Sequence, residues 1–292
     1  MAEASGSGRR RRNRSTPPRA RVATTVIGAL ALVLLAAGCQ LVQLPTGGFL
    51  MTPDAPSGRR LLIVGDSLIR TTSLATAGPL LPAGVETLIE AVNGSGLVSG
   101  PVHWDTRATE LVDQFHPTVV LMSIGGNFSA PYWPPYAPPG APGSPEEQAW
   151  ITANWGSPEW LDRSATQAVA ASKAFAARGA HVYWLAPPPM PPQWGDPSVR
   201  DKLWDRLSAT LPTSVPGTKL LSVVSSVSDA NGKWVPTKVI CGTELEIRSV
   251  EWDGGLHFTS DGAGTYGRAT ARALSAAEGW PAPPQKCPGL TD

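Results

Sequence analysis

Ser67 has the clearest chemical signature in this sequence. It follows an apolar run of strand length, residues 60–65, with Asp66 between the run and the serine. Gly65 permits a sharp turn, and a helix after the turn would point its N-terminus at the hydroxyl. A serine held in this way can act as a nucleophile. Gly-Asp-Ser also forms ordinary turns and helix caps, so the interpretation depends on partner residues elsewhere.

A serine nucleophile needs a base beside it and a carboxylate that orients the base. Of the four histidines, His257 is the one in a glycine-rich loop near a predicted helix start, and Asp253 lies four residues before it. Alone, an Asp and a His in one loop are more often structural. Together with Ser67 they predict nucleophile, base and orienting acid.

Two further segments could supply hydrogen-bond donors to a developing oxyanion. The strand candidate 118–124 is followed closely by Asn127, whose amide can donate to such an oxygen. The strand candidate 86–92 ends in a glycine-rich turn, where the backbone N–H of Gly94 or Gly96 could approach a ligand. Each segment alone is also typical of a plain turn.

Taken in this order, the four segments resemble the blocks of the GDSL, or SGNH, hydrolase family, which carry Ser, Gly, Asn and His. The resemblance covers residues 60 to about 278, and Gly65-Asp66-Ser67-Leu68 matches the first block letter for letter. It implies that Ser67 is the nucleophile, that His257 is the base, and that Asp253 orients His257.

The resemblance also implies an oxyanion hole formed by the backbone N–H of Ser67, a glycine N–H and Asn127. The family's usual distance to the Asn block fits Gly96 best, Gly94 next and Gly100 least.

Two features depart from the family pattern. The family usually spaces acid and base as Asp-x-x-His, whereas three residues separate Asp253 from His257. The Asn block usually continues with Asp, and here Phe128 follows. The longer spacing raises the question of whether the imidazole still reaches Ser67.

Strand and helix candidates alternate along the chain, which favours a parallel sheet with helices on both faces. The candidates are strands 60–65, 86–92, 118–124, 181–186 and 219–224, and helices 104–115, 158–178, 197–211 and 259–277. With the resemblance, this predicts a three-layer α/β/α sandwich with a mostly parallel, five-stranded, flavodoxin-like sheet. In such sheets, sites lie at the carboxyl ends of the strands.

Residues 128–155 form a long segment rich in proline and aromatic residues. Loops of this length are usually functional or disordered. Five of its aromatic residues are candidates for a substrate groove: Tyr132, Trp133, Tyr136, Trp150 and Trp155. The alternative is that these side chains simply pack on the domain.

The N-terminal residues read as an export or anchoring signal. Residues 1–21 carry seven arginines and are expected to be disordered, and an apolar segment without charges, residues 22–42, follows. Residues 35–39 resemble a bacterial lipobox, in which Cys39 would be lipidated. The alternatives are an uncleaved anchor helix of about 20 residues, enough to span a bilayer, and simple secretion.

The sequence after this signal divides into three parts. Residues 43–58 are predicted to be a linker, residues 59–280 the hydrolase domain, and residues 281–292 a C-terminal tail. The formal net charge of the chain is +1, but without residues 1–21 it carries 17 Lys and Arg against 22 Asp and Glu, a net charge of −5. A mildly acidic body argues against nucleic acid as a partner.

Apart from Cys39, the chain has two cysteines, Cys241 and Cys287. An even number in an exported domain suggests a disulfide, which would tie the C-terminal tail to the loop before the last motif. No Cys-x-x-Cys pair or histidine cluster accompanies them, so neither a metal nor another cofactor is expected.

These expectations combine into an exported, membrane-tethered serine esterase whose substrate is an acylated glycan, lipid or small molecule. That substrate range is implied by the family resemblance. The same triad would serve an O-acyltransferase equally well, and a non-catalytic glycan-binding derivative is a third alternative.

Overall fold

The computed structural model describes residues 40–44, 47–124, 144–284 and 287. Within these residues, seven strands form one sheet. They are β1 (Gln40–Gln43), β2 (Phe49–Thr52), β3 (Arg60–Gly65), β4 (Glu86–Ala91), β5 (Val119–Ser123), β6 (His181–Leu185) and β7 (Lys219–Leu221). A separate antiparallel hairpin pairs β8 (Thr237–Ile240) with β9 (Thr243–Glu246).

Seven α-helices lie within the described residues. They are α1 (Ser67–Ala77), α2 (Trp104–Phe115), α3 (Pro145–Asn154), α4 (Pro158–Ala176), α5 (Pro197–Ser214), α6 (Val250–Asp253) and α7 (Ser260–Glu278). Short 3₁₀ turns cover Gly78–Ala83, Pro192–Trp194 and Val224–Ser226.

The strand order of the sheet is β1-β2-β4-β3-β5-β6-β7. The five strands from β4 to β7 in this order run parallel, with the order of a flavodoxin-like sheet. The mostly parallel α/β architecture is therefore confirmed. The prediction of five strands is corrected to seven, because β1 and β2 extend one edge as antiparallel strands.

The extra strands also correct two N-terminal expectations. The sequence predicts a linker over residues 43–58, yet β2 lies within them and its Met51 side chain is 1% exposed. An anchor helix running through residue 42 is wrong for residues 40–42, which form β1. Apolar alternation is short in both segments, so the pairing of β2 with β4 and of β1 with β2 decides their structure. Residues 1–39, including Cys39, lie outside the described residues.

Alternate side chains of the central strand β3 enter two separate cores. Leu62 and Val64 pack in the layer that contains α2, α4 and α5, whereas Leu61 and Ile63 pack in the layer with α1 and α7. All four side chains are fully buried. Burial of such a side chain contributes about 1.5–3 kcal/mol, so β3 is a rigid support for the residues that follow it.

Candidate active site

Ser67 stands at the sharp turn between β3 and α1. A Cβ on Gly65 would lie 1.9 Å from the carbonyl oxygen of Ser123, so only glycine lets the chain turn this close to β5. Asp66 is fully buried and caps α1, because its Oδ1 accepts a hydrogen bond from the backbone N–H of Leu68 at 2.9 Å. Ser67 is the first helical residue, and the positive end of the helix dipole lies at its backbone.

The structure brings Ser67, His257 and Asp253 into one hydrogen-bonded row. His257 Nε2 lies 2.8 Å from Ser67 Oγ, and His257 Nδ1 makes a hydrogen bond with Asp253 Oδ2. With Nδ1 protonated and donating to the carboxylate, Nε2 is the acceptor for the serine hydroxyl. The longer Asp-x-x-x-His spacing therefore does not prevent the imidazole from reaching Ser67.

The carboxylate of Asp253 is fixed by backbone donors of its own loop. Oδ1 accepts from the N–H groups of Gly255 and Leu256, each at 3.0 Å, and Oδ2 accepts from the N–H of His257 at 3.1 Å. Three N–H donors thus hold the two carboxylate oxygens in place. The acid therefore keeps one orientation while it holds the imidazole.

Side chains from outside the loop hold its carbonyl groups. The segment Pro192–Trp194 after β6 supplies two donors: Trp194 Nε1 donates to the Asp253 carbonyl oxygen at 2.8 Å, and Gln193 Nε2 donates to that of Gly254. The next two carbonyls are held by other elements. Trp234 Nε1 donates to Gly255 at 3.1 Å, and Arg248 Nη1 donates to Leu256 at 2.9 Å.

These four consecutive carbonyls, residues 253–256, therefore each accept a side-chain hydrogen bond. We call Gln193, Trp194, Trp234 and Arg248 the loop clamp. Because the loop backbone is hydrogen-bonded on both its N–H and its C=O sides, Asp253 and His257 lie on a fixed support.

Arg248 is the buried charge of the clamp, with 1% of the residue exposed. Its Nη2 donates to the Pro189 carbonyl at 2.9 Å, and its guanidinium carbon lies 3.9 Å from the centroid of the Phe258 ring. Burial lowers the pKa of Arg248 to about 9, while Tyr266 and Asp253 oppose this shift. The guanidinium is therefore charged at neutral pH and joins the loop after β6 to the loop of Asp253.

Gly254 and Gly255 accommodate the additional residue of the loop. Their φ angles are +69° and +84°, in the left-handed region that side chains disfavour. A Cβ on Gly255 would lie 2.6 Å from Cζ2 of Trp234. The glycine pair thus allows both the turn and the contact with the clamp.

The glycines proposed for the oxyanion hole differ in whether their N–H groups are already hydrogen-bonded. Gly96 N–H donates to the Ser99 carbonyl at 2.7 Å, so this amide is already engaged. Within the described residues, the N–H groups of Gly94 and Gly100 make no hydrogen bond. The choice of Gly96 is therefore disfavoured, and Gly94 is the better of the two predicted candidates. Asn127 lies outside the described residues.

The aromatic segment is partly a helix. The expected loop 128–155 contains α3, and Trp150 and Trp155 are half-buried and pack against the core of α2, α4 and α5. For these two residues the packing alternative holds. Tyr132, Trp133 and Tyr136 lie outside the described residues.

Cys241 and Cys287 form the expected disulfide. Cys241 lies in the turn of the β8–β9 hairpin, so the bond ties the C-terminal tail to that hairpin. Closing a loop of 46 residues stabilises a fold by about 3–4 kcal/mol in the chain-entropy model. Among the described residues, no cluster of three or more His, Cys, Asp or Glu could hold a metal ion. No helix in the same residues is long and apolar enough to span a membrane.

A cavity of about 780 Å³ lies beyond the carboxyl ends of β6 and β7. Pro192 and Trp234 line it, together with Arg200, Trp204 and Lys233. Trp234 thus has one side on the cavity while its indole N–H holds the loop of Asp253. The three residues of the hydrogen-bonded row do not line this cavity.

Comparison with known proteins places this chain in a family. A family model described as "Protein of unknown function (DUF459)" matches residues 60–272, which is most of the chain. The chain belongs to this family. No curated protein matches the sequence significantly.

Solved structures share the fold. The psychrotrophic esterase EstA from a Pseudoalteromonas species is 14% identical, with 76% of this chain and 99% of the esterase covered at a TM-score of 0.50. An acetyl xylan esterase variant from Geobacillus stearothermophilus is also 14% identical, covering 77% and 97% at a TM-score of 0.48. The lipase/acylhydrolase from Enterococcus faecalis is 11% identical, covering 78% and 100% at 0.46. The resemblance to GDSL/SGNH hydrolases is confirmed, and it is the fold that is shared.

Sequence reasoning found the row but missed the loop clamp. Gln193 and Trp194 lie about 60 residues before Asp253, and no motif marks them. Their signal is spatial, because β6 and β3 end at the same edge of the sheet. The only hint in the sequence was the inserted glycine, which indicates a longer loop that needs additional support.

Proposed function

We propose that this protein is a serine esterase that hydrolyses carboxylic esters through Ser67, His257 and Asp253. The observation that carries the proposal is the 2.8 Å contact between His257 Nε2 and Ser67 Oγ, with the opposite ring nitrogen on Asp253. This is the arrangement by which a histidine activates a serine as nucleophile. A non-catalytic binding domain would not require these three groups in a row.

The first half-reaction forms an acyl-enzyme. Ser67 Oγ attacks the ester carbonyl carbon while its proton passes to His257 Nε2, and the carbonyl electrons move to the oxygen. The intermediate collapses, the bond from the carbonyl carbon to the alcohol oxygen breaks, and Nε2 returns the proton to that oxygen. The alcohol leaves and the acyl group stays on Ser67.

The second half-reaction releases the acid. Water attacks the acyl carbon, its proton passes to His257 Nε2, and the bond from this carbon to Oγ breaks. The proton returns to Oγ, so that ester and water have become acid and alcohol and the enzyme is unchanged. Asp253 stabilises the imidazolium that forms in each half, because its carboxylate accepts from Nδ1.

The oxyanion of both halves lies at the N-terminus of α1 in this mechanism. The backbone N–H of Ser67 belongs to the first turn of the helix, whose dipole favours negative charge. A second donor from Gly94 and a third from Asn127 complete the proposed hole. Removal of one such donor typically costs about 10²–10³-fold in kcat.

The N-terminal residues support a second, separate part of the proposal, namely export and attachment to the membrane. Its basis is the arginine-rich segment, the apolar segment and the lipobox-like residues 35–39. The mass of the mature N-terminus would test it. A lipidated Cys39 or an intact anchor supports attachment, and an unlipidated N-terminus after residue 39 contradicts it. An envelope glycan or lipid is the corresponding substrate.

Hydrolysis of p-nitrophenyl acetate tests the esterase proposal. We expect activity in the native chain and a fall to background in Ser67→Ala. The control is Ser198→Ala, since Ser198 also follows a capping aspartate near a helix start and hydrogen-bonds to Asp196 at 2.7 Å. Equal activity in Ser67→Ala and the native chain would refute the mechanism.

A further inference from the structure

Trp252 is an exposed indole directly before Asp253. It is 75% exposed, the highest value among the large hydrophobic residues that the structure describes as exposed. Val250, on the same short helix α6, is 41% exposed. Tryptophan is normally a highly buried residue because its ring removes a large apolar area from water. An exposed indole directly before Asp253 is therefore available to a ligand that approaches the hydrogen-bonded row.

The indole lies beside the imidazole of His257. The two ring centroids are 5.5 Å apart, and the ring planes are inclined by 46°. The backbone that carries Trp252 is well fixed, because the N–H of Asp253 donates to Ser249 and that of Gly254 donates to Val250. The backbone of Trp252 therefore keeps its place relative to the loop that carries His257.

The proposed mechanism decides which part of an ester meets this indole. His257 Nε2 returns its proton to the oxygen of the leaving alcohol, so that oxygen must come within hydrogen-bond distance of Nε2. The carbonyl oxygen lies instead toward the N-terminus of α1. The group attached to the alcohol oxygen therefore lies next to the imidazole, whose ring centroid is 5.5 Å from that of Trp252.

We propose that Trp252 binds the alcohol part of the substrate and that this alcohol carries a six-membered ring. The face of such a ring, either an aryl ring or the C–H face of a pyranose, would pack on the indole. This inference rests on the proposed esterase function and narrows its substrate class. It makes Trp252 a specificity-determining residue that acts on the leaving group.

Acetate esters that differ only in their alcohol test the inference. We would measure kcat/KM for phenyl acetate, for an O-acetylated methyl glucopyranoside and for ethyl acetate, in the native chain, Trp252→Ala and Trp252→Phe. For at least one ring-bearing alcohol, Trp252→Ala should lose about tenfold, which is about 1.4 kcal/mol of transition-state binding. Ethyl acetate should change less than about twofold, and Trp252→Phe should retain most of the activity.

Two controls separate this role from others. Val239→Ala removes another exposed apolar side chain, 65% exposed on the β8–β9 hairpin, and should leave all three rates unchanged. A series of p-nitrophenyl esters from acetate to octanoate should show the same dependence on acyl length in Trp252→Ala as in the native chain.

Each outcome bears on the inference. Loss confined to the phenyl ester identifies an aryl alcohol, loss confined to the sugar ester identifies a pyranose, and loss on both leaves the shared ring chemistry. All three support the inference. An equal loss on every alcohol, no loss at all, or a loss that follows acyl length would overturn it while the esterase proposal stands. Absence of hydrolysis by the native chain would refute the proposed function and the inference with it.

Discussion

The pairs His257–Asp253 and His181–Glu278 join the same kinds of group at opposite ends of the parallel sheet. His257 meets Ser67 just beyond the carboxyl end of β3, whereas His181 is the first residue of β6. In both pairs Nδ1 faces a carboxylate. The side chains of His257 and Asp253 are 17% and 13% exposed, but His181 is 61% exposed.

The carboxylates of the two pairs are held differently. Asp253 accepts three backbone N–H groups of its own loop. Glu278 accepts from the side chain of Tyr183, whose hydroxyl also lies 3.1 Å from Lys219 Nζ. Burial, together with Glu278, raises the pKa of Tyr183, so the phenol stays protonated and continues to donate.

The difference between the pairs is therefore one of surroundings. The imidazole of His257 has a serine at Nε2 and a helix N-terminus beside that serine. Among the described residues, His181 has no side-chain partner at Nε2. A histidine that is held by a carboxylate can act as a general base only where a nucleophile and an oxyanion site lie beside it.

Replacing each histidine is expected to give the largest contrast. His257→Ala removes the proposed base and should lower kcat for p-nitrophenyl acetate by about 10⁴–10⁶-fold, because members of a triad act as a unit. His181→Ala removes only the exposed imidazole of a pair far from Ser67 and should leave kcat within about twofold. Steady-state kinetics of the two purified variants measures this. Similar kcat values in the two variants would contradict the distinction between the His257–Asp253 pair and the His181–Glu278 pair.

Replacement of the two carboxylates should give the second largest difference in kcat. In Asp253→Asn, the amide NH₂ must face a backbone N–H or the ring N–H whichever way it turns, so the imidazole loses its orientation. We expect kcat to fall by about 10⁴-fold. Glu278→Gln can still accept from Tyr183 and should keep nearly full activity, with the free energy of unfolding lower by about 1 kcal/mol. Kinetics and urea denaturation together test this, and an active Asp253→Asn would contradict the assigned role.

A smaller effect is expected from the loop clamp. Trp194→Phe keeps the aromatic ring but removes the donor to the Asp253 carbonyl, so the loop can shift, and kcat should fall about tenfold with KM little changed. The matched control is Trp184→Phe, which removes an indole donor to Ser172 in the core. The control should lower the melting temperature but not kcat. If both variants lost only stability, the clamp would be structural and would not position the acid.

The parallel strands and the serine turn could be predicted because their signals are local. The run 60–65 is apolar at every buried position of β3, and Asp66 and Ser67 follow at once. Strands β1 and β2 could not be predicted in the same way. Each has only four residues. β1 pairs with β2, and β2 pairs with β4, which lies some 40 residues further along the chain.

Only part of the candidate site could be predicted from the sequence. Asp253 and His257 are close in sequence, so their spacing could be compared with the family pattern, and the longer loop could be recognised. The position of this loop depends on Gln193, Trp194, Trp234 and Arg248. These residues come from three separate segments and lie together only in the folded chain. Trp252 was visible as a residue, but its exposure was not, since adjacent positions of a short helix differ in burial according to tertiary contacts.

The most direct test of the central claim is covalent labelling of the serine. The native chain would be treated with a p-nitrophenyl alkylphosphonate, and the adduct would be located by mass spectrometry of peptides. The account predicts one phosphonyl group, on Ser67, with no adduct in Ser67→Ala and much slower labelling in His257→Ala than in His181→Ala. Labelling at another residue, or equal rates in the two histidine variants, would contradict it.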